Sequence, residues 1–278
     1  MEKTLISPAK VNLFLRVVRK REDGYHEIVS LVDLISLFDE IKIMDLKEDK
    51  IVVKKVFGEM PEGEDNIIYR AVRLIKKQFE IKKGVYVEVT KRIPIGSGLG
   101  GGSSNAATVI KTLMQMWNLK ISEEELLDLG KALGADVPLF LYGKPCMIRG
   151  IGEKIAPITL PTIWYVIVFP GVEIPTKEVY SNFKFVLTKT ENDIKLRNHF
   201  NALEEIAGIL ENDLEDAAQR LCPRIKTIKE KLIKLGAKGA SMSGSGSSVF
   251  GCFESKSDAE RVAKSLESCG QVFVARSI

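Results

Sequence analysis

The chain has 278 residues, 45% hydrophobic and 28% charged, which is ordinary globular usage, long enough for two domains and unlike disordered or fibrous sequences. Its 41 Lys and Arg stand against 37 Asp and Glu and are interspersed with them, as in Arg19-Lys20-Arg21-Glu22-Asp23, so no basic stripe for nucleic acid is expected. The longest apolar stretch, Ile163 to Val172, is broken by Pro170 and falls short of the roughly 20 residues that cross a bilayer, so no membrane partner is expected.

The opening MEKTLISPAK does not read as a secretory leader, and Cys146, Cys222, Cys252 and Cys269 form no C-x-x-C pair. Buried free thiols, no metal site and a cytoplasmic location are expected.

In chain order, Val11, Leu13, Leu15 and Val17 alternate along 11–18 as in a β-strand, and Asp23-Gly24 closes the polar turn after it. Ile28 to Leu37, Ile41 to Met44 and Ile51 to Val56 give further short strands. Ile67, Ile68, Ala71, Val72, Leu74, Ile75 and Phe79 recur at helical spacing, and Val85, Val87 and Val89 alternate again. After a glycine-rich segment at 96–102, a helix is predicted over Ser103 to Trp117, and Ser122 with Glu125 is a capping box for the next one. The pattern thins into Pro and Gly around Gly152 to Pro161, which puts a domain boundary at 157/158.

The remainder reads as a strand at 163–169, a helix from Thr176, helices across 200–220, a helix at 224–235, strands at 239–243 and 247–252, a helix at 257–267 and a strand at 271–276. With the extra helices set aside, that order resembles the split β-α-β unit of ferredoxin-like domains, and the fold class is α+β.

Gly96, Gly98, Gly100, Gly101 and Gly102 crowd into PIGSGLGGGSS between a predicted strand and a predicted helix. Glycines bare the backbone N–H groups, and a helix N-terminus adds partial positive charge, so the segment reads as an anion cradle rather than a plain turn. A Walker A loop fails because no Lys follows the glycines. Gly96-x-Gly98-x-x-Gly101 matches the dinucleotide fingerprint literally, but Trp117-Asn118-Leu119 runs into another capped helix instead of the second strand which that fingerprint requires.

The run from Pro94 to Ser104 (Pro94, Ile95, Gly96, Ser97, Gly98, Leu99, Gly100, Gly101, Gly102, Ser103, Ser104) resembles the ATP loop of the galactokinase, homoserine kinase, mevalonate kinase and phosphomevalonate kinase (GHMP) superfamily. SPAKVNLFL at 7–15 and SMSGSGSSVF at 241–250 agree in order. Pro8 to Leu13, Asp23-Gly24-Tyr25-His26, Leu133 to Pro138 and Gly150-x-Gly152-Glu153 are similar to the 4-diphosphocytidyl-2-C-methyl-D-erythritol kinase family within it, with Ile95 and Ser97 where that family often has Pro and Ala.

The resemblance spans nearly the whole chain. It implies the two-domain GHMP kinase fold: an N-terminal ribosomal-S5-domain-2-like domain (1–157) and a C-terminal ferredoxin-like α/β domain (158–278), with ATP and a cytidine diphosphate methylerythritol substrate in the cleft between them.

Phosphoryl transfer needs a positioned hydroxyl, a carboxylate to take its proton and cations for the transferring charge. Asp136, in LGADVP, is the candidate base; Pro138 suits an early helical position, so the carboxylate would also cap the helix, and capping alone is the rival reading. Lys10, where the first strand begins, reads by itself as a solvated charge. The resemblance implies instead that it sits beside Asp136, and Asn12, on the same strand face, would orient the substrate hydroxyl.

The resemblance further implies that Tyr25 stacks on cytosine, that His26 hydrogen-bonds it, and that Thr176 and Tyr180 line the substrate end, with core packing the rival for Tyr180. His199 is assigned nothing. Gly244 and Gly246 read as a hairpin and, by resemblance, close against the phosphate loop. Mg²⁺ is expected with ATP, held mostly by phosphates, with Ser104 as the one protein ligand.

Two other readings remain open. Another GHMP-type small-molecule kinase, of the homoserine or mevalonate class, would have no base to stack on Tyr25, and a non-catalytic RNA-binding module would need a stronger basic bias.

Overall fold

The computed structural model describes residues 2–184 and 197–278. The chain forms two compact units, each assembled from three stretches: Met1–Ala9, Phe38–Ile95 and Gly100–Gly143 in the first, Lys10–Leu37, Gly96–Leu99 and Lys144–Ile278 in the second. Two of the divisions, after Ala9 and after Leu37, fall inside two long neighbouring strands, β1 (Glu2–Lys20) and β2 (His26–Leu46).

Both strands are longer than the sequence predicts. Ser7, Pro8 and Lys10 break the apolar alternation at the start of β1, yet Ser7 and Lys10 are buried. Asp39 interrupts the two predicted segments of β2, but it is a strand residue whose buried carboxylate is saturated with hydrogen bonds. A charge reads as a break in a pattern; here the partners that make it tolerable lie elsewhere in the sequence.

In the first unit, β3 (Ile51–Phe57) runs parallel to β4 (Gly84–Thr90), and β4 runs antiparallel to the far end of β2. Val85, Val87 and Val89 are wholly buried, as their alternation predicts. Helix α1 (Ile67–Gln78) starts where the Asn66 side chain accepts from the Ile68 N–H and buries Ile68, Ala71, Val72 and Ile75. It packs on α2 (Gly101–Met116), which packs on α4 (Val137–Tyr142). The predicted capping box is present at Ser122 and Glu125, opening α3 (Glu123–Lys131).

In the second unit, β5 (Cys146–Gly150) pairs antiparallel with β2 at Ile28–Val32 and with β6 (Lys154–Pro157). The strands β7 (Trp164–Phe169), β9 (Gly239–Met242), β10 (Val249–Phe253) and β11 (Gln271–Arg276) form a sheet in the order β11-β7-β10-β9 with antiparallel neighbours. Numbered within the sheet, that is 4-1-3-2, the split β-α-β arrangement expected from the sequence.

The helix over Arg224–Lys234 packs on β9 and β10, and the helix over Lys256–Lys264 on β7 and β11. Their buried faces, including Ile225, Ile228, Leu232, Ala259 and Val262, join Val166, Val168, Met242, Val249 and Phe253 in one core. The four cysteines are buried free thiols, and among the described residues no helix is long and apolar enough to cross a membrane.

Candidate active site

The glycine segment follows β4 and leads into α2. Gly96, Gly98 and Gly100 adopt φ of 59°, 78° and 73°, the left-handed region that L side chains avoid. Gly100 is the N-cap of α2 and no side chain caps the helix; the first bond of its ladder runs from the Ser104 N–H to the Gly100 carbonyl, 2.9 Å. The helix starts two residues earlier than the Ser103 predicted, so Gly101 and Gly102 form its first turn with their N–H groups ahead of the ladder.

The glycines do different work. A Cβ on Gly102 would meet only Ile67 Cγ2 at 3.7 Å, so this position is open to an approaching ligand. A Cβ on Gly101 would stand 2.9 Å from Ile93 Cγ2 and 3.0 Å from Lys91 Nζ: its bareness serves packing behind the loop.

The second glycine segment is the hairpin between β9 and β10, and it also meets the first. Ser243 Oγ donates to the Gly98 carbonyl at 3.0 Å, the Ser248 N–H donates to the Ser97 carbonyl at 3.1 Å, and a Cβ on Gly98 would collide with the Ser243 carbonyl. Hairpin and loop closure are therefore both realised.

Asn212, in β8 (Glu211–Asn212), fixes that hairpin by donating to the Met242 and Gly244 carbonyls, each at 2.8 Å, and accepting from the Leu214 N–H at 3.0 Å. No local pattern in the sequence marks Asn212, because its partners are carbonyls distant in sequence.

Lys10 lies in the middle of β1, not at its start, and is 3% exposed, which overturns the solvated-charge reading. Its backbone N–H donates to the Leu99 carbonyl at 3.0 Å, and its ammonium donates to Asn12 Oδ1. Asn12 Nδ2 donates to Ser30 Oγ at 2.8 Å, which donates to the Phe14 carbonyl at 2.6 Å. The Asn12 amide thus steadies Lys10 from below. A Cβ on Gly244 would stand 3.1 Å from Lys10 Nζ, so the hairpin's bareness makes room for the ammonium.

Asp136 occupies the N-cap position of α4 with Pro138 just inside the helix, as predicted, but its side chain makes no capping hydrogen bond, so the capping role is set aside. Ser104, expected as a metal ligand, is buried and its hydroxyl accepts from Ser7 Oγ at 2.8 Å. Ser103 is the half-exposed serine of the turn, with Oγ 4.0 Å from where a Cβ on Gly134 would stand. Among the described residues no group of three or more His, Cys, Asp and Glu is placed to hold a metal ion.

The sequence pairs Tyr25 with His26, whereas the structure pairs His26 with Tyr180. Their rings stack with centroids 4.6 Å apart and planes at 24°, while Tyr25 is 59% exposed on the turn. Tyr180, on α5 (Thr176–Asn182), is partly buried against the core, so packing and the His26 contact coincide. Thr176, one turn earlier, shares a 2.9 Å hydroxyl hydrogen bond with Ser245 of the glycine hairpin. His26 is held below the ordinary imidazole pKa by burial first and the Lys20 charge second. His199 is exposed and bonded to Asn201.

Residues 66–144 match the GHMP kinases N terminal domain and residues 193–271 the GHMP kinases C terminal family. A 4-diphosphocytidyl-2-C-methyl-D-erythritol kinase of Syntrophus aciditrophicus is 40% identical over 277 residues, 99% of each chain. One from Syntrophotalea carbinolica is 40% identical over 95% of this chain and 94% of its own. A crystal structure of 4-(cytidine 5'-diphospho)-2C-methyl-D-erythritol kinase superposes with a TM-score of 0.81 at 36% identity, covering 99% of this chain and 98% of that one. With its bare-backboned loop and ferredoxin-like sheet order, the chain belongs to the 4-diphosphocytidyl-2-C-methyl-D-erythritol kinase family of the GHMP kinases.

Proposed function

We propose that the protein transfers the γ-phosphoryl group of ATP to the 2-hydroxyl of 4-diphosphocytidyl-2-C-methyl-D-erythritol, giving the 2-phosphate and ADP, in the cytoplasmic non-mevalonate isoprenoid route. The observation that carries this reading is 40% identity along 99% of both chains to a relative bearing that enzyme's name. In the proposal, residues 1–157 supply the ATP loop and the catalytic pair, and 158–278 the C-terminal GHMP domain.

Pro94 to Ser104 receive the phosphates: the open N–H groups at the start of α2 and the exposed face at Gly102 suit an anion. Asp136 takes the hydroxyl proton as the hydroxyl oxygen attacks the γ-phosphorus and the bond to ADP breaks. Its carboxylate is not consumed by capping. Lys10, fixed by Asn12, lowers the pKa of the acceptor hydroxyl and offsets developing charge, and Asn12 helps to orient that hydroxyl. Tyr25 and His26 take the cytosine, with Thr176 and Tyr180 flanking them. Mg²⁺ bound with ATP would be held mainly by phosphates and water, with Ser103, the half-exposed serine of the turn, as the side chain able to reach it, and would supply neutralisation of phosphate charge.

The test is to incubate the protein with ATP, Mg²⁺ and, separately, the cytidine diphosphate substrate, mevalonate, homoserine and galactose. ADP release with the first alone is expected. Release with another alcohol and not with the cytidine substrate would replace this reading by that of a different GHMP kinase.

A further inference from the structure

Behind the glycine loop lies a polar cluster that the reaction does not use. Lys91 and Asp39 form an ion pair with side chains 7% and 0% exposed. Asp39 Oδ1 accepts from the backbone N–H groups of Arg92 at 2.7 Å and Ile93 at 2.9 Å, the residues leading into the loop. Asp39 Oδ2 accepts from Lys91 and, at 2.8 Å, from Asn105 Nδ2, on the second turn of the helix that follows the loop. Lys91 Nζ also donates to Asn105 Oδ1 at 3.0 Å, and Asn105 Nδ2 donates to Ser7 Oγ at 3.0 Å.

The ion pair fixes the amide's orientation, because an ammonium only donates and a carboxylate only accepts: the carbonyl end must face Lys91 and the NH₂ end Asp39. One carboxylate therefore grips the backbone before the loop and the helix after it.

We propose that Asp39, Lys91 and Asn105 are positioning residues for nucleotide binding, a buried brace that holds the two ends of the glycine loop at a fixed separation. A loop whose ends are fixed in advance loses less conformational freedom when a ligand orders it, and affinity rises accordingly. Gly101 belongs to the device, since a Cβ there would press on Lys91 Nζ at 3.0 Å and on Ile93. The inference rests on the reading of the loop as the ATP site.

The experiment measures ADP affinity by calorimetry and melting temperature for wild type, Asn105→Ala and the charge-neutral double variant Asp39→Asn/Lys91→Met. A buried lone charge destabilises, so the neutral pair melts close to wild type, while Lys91→Met removes the donor to Asn105 Oδ1 and Asp39→Asn replaces an acceptor-only carboxylate by an amide that no longer fixes the orientation of Asn105. Asn105→Ala and the double variant are each expected to weaken ADP binding about tenfold, with KM for ATP raised and KM for the alcohol unchanged. Hydrogen exchange at 94–104 should be faster in the free variants and return to the wild-type rate at saturating ADP.

If ADP affinity follows melting temperature, so that the double variant recovers both, the cluster is only structural and the proposal falls. A wild type that binds no ADP would overturn the function reading first, and the brace with it; a wild type that binds while the variants bind equally well overturns the brace alone.

Discussion

His26 and Tyr180 stack ring on ring, with centroids 4.6 Å apart, so the histidine assigned to the cytosine is held by a residue of the C-terminal half of the chain. The exposed Tyr25 is left as the ring available to stack.

Tyr25→Ala should weaken substrate capture by roughly 5- to 150-fold, from the ~1–3 kcal/mol of base stacking, without touching ATP. His26→Ala should erase much of the preference for a cytidine over a uridine substrate, and Tyr180→Ala should do so partially by freeing the imidazole, whereas Tyr180→Phe keeps it. The readout is kcat/KM for both substrates. Because the His26 pKa is depressed, the ring is neutral at pH 7; as pH falls through the depressed value the ring gains a proton and an acceptor nitrogen is lost, so base preference should decline on the acid side. Equal changes on the ATP and cytidine sides would make this a packing contact.

Asp136→Asn should lower kcat by ~10²–10⁴ with little change in melting temperature, because the amide keeps the size and an acceptor oxygen of the side chain it replaces. Lys10→Met should also act on kcat; a loss seen only as unfolding would make the buried ammonium structural.

Two alanines in the glycine loop should separate. Gly102→Ala meets open space and should leave melting unchanged while raising the nucleotide Kd; Gly98→Ala forces a side chain into φ of 78° and onto the Ser243 carbonyl and should lower the melting temperature. Differential scanning fluorimetry with and without ADP compares them.

Asp33 is buried, accepts from Tyr165 Oη at 2.7 Å and Ser277 Oγ at 2.8 Å, and leaves Oδ1 without a partner. Burial pushes its carboxyl up to about 6. The folded state therefore holds the proton more tightly than the unfolded one. Stability from this group is full below pH ~4 and is lost as pH rises through about 6, by about 3 kcal/mol in all. Asp33→Asn should flatten that limb of a melting curve measured from pH 4 to 7; an unchanged slope would show that another group titrates there.

The apolar frame was legible in the sequence: the valines of β4, the buried face of α1, the Ser122 capping box and the strand order of the ferredoxin-like sheet follow from periodicity and punctuation. The glycine loop was legible too, since so many bare positions between strand and helix have few uses. Polar residues that fold inward were not. Asp39, Lys91 and Lys10 look like surface charges until their partners are known, and those partners come from other elements. The His26–Tyr180 stack likewise joins residues that no local pattern connects.

The two units are woven from alternating stretches of one chain, with β1 and β2 each belonging to both. No single cut separates the two units: a fragment ending at Gly143 would hold all of the first unit but also carry Lys10–Leu37 and Gly96–Leu99 of the second, and one beginning at Lys144 would lack the strands beside which β5 and β8 pair. Such a chain folds through contacts distant in sequence and gains them slowly. Its inheritance is constrained in the same way, because either half exchanged for a stranger's would have to match the other along two strands, and the halves must pass on together.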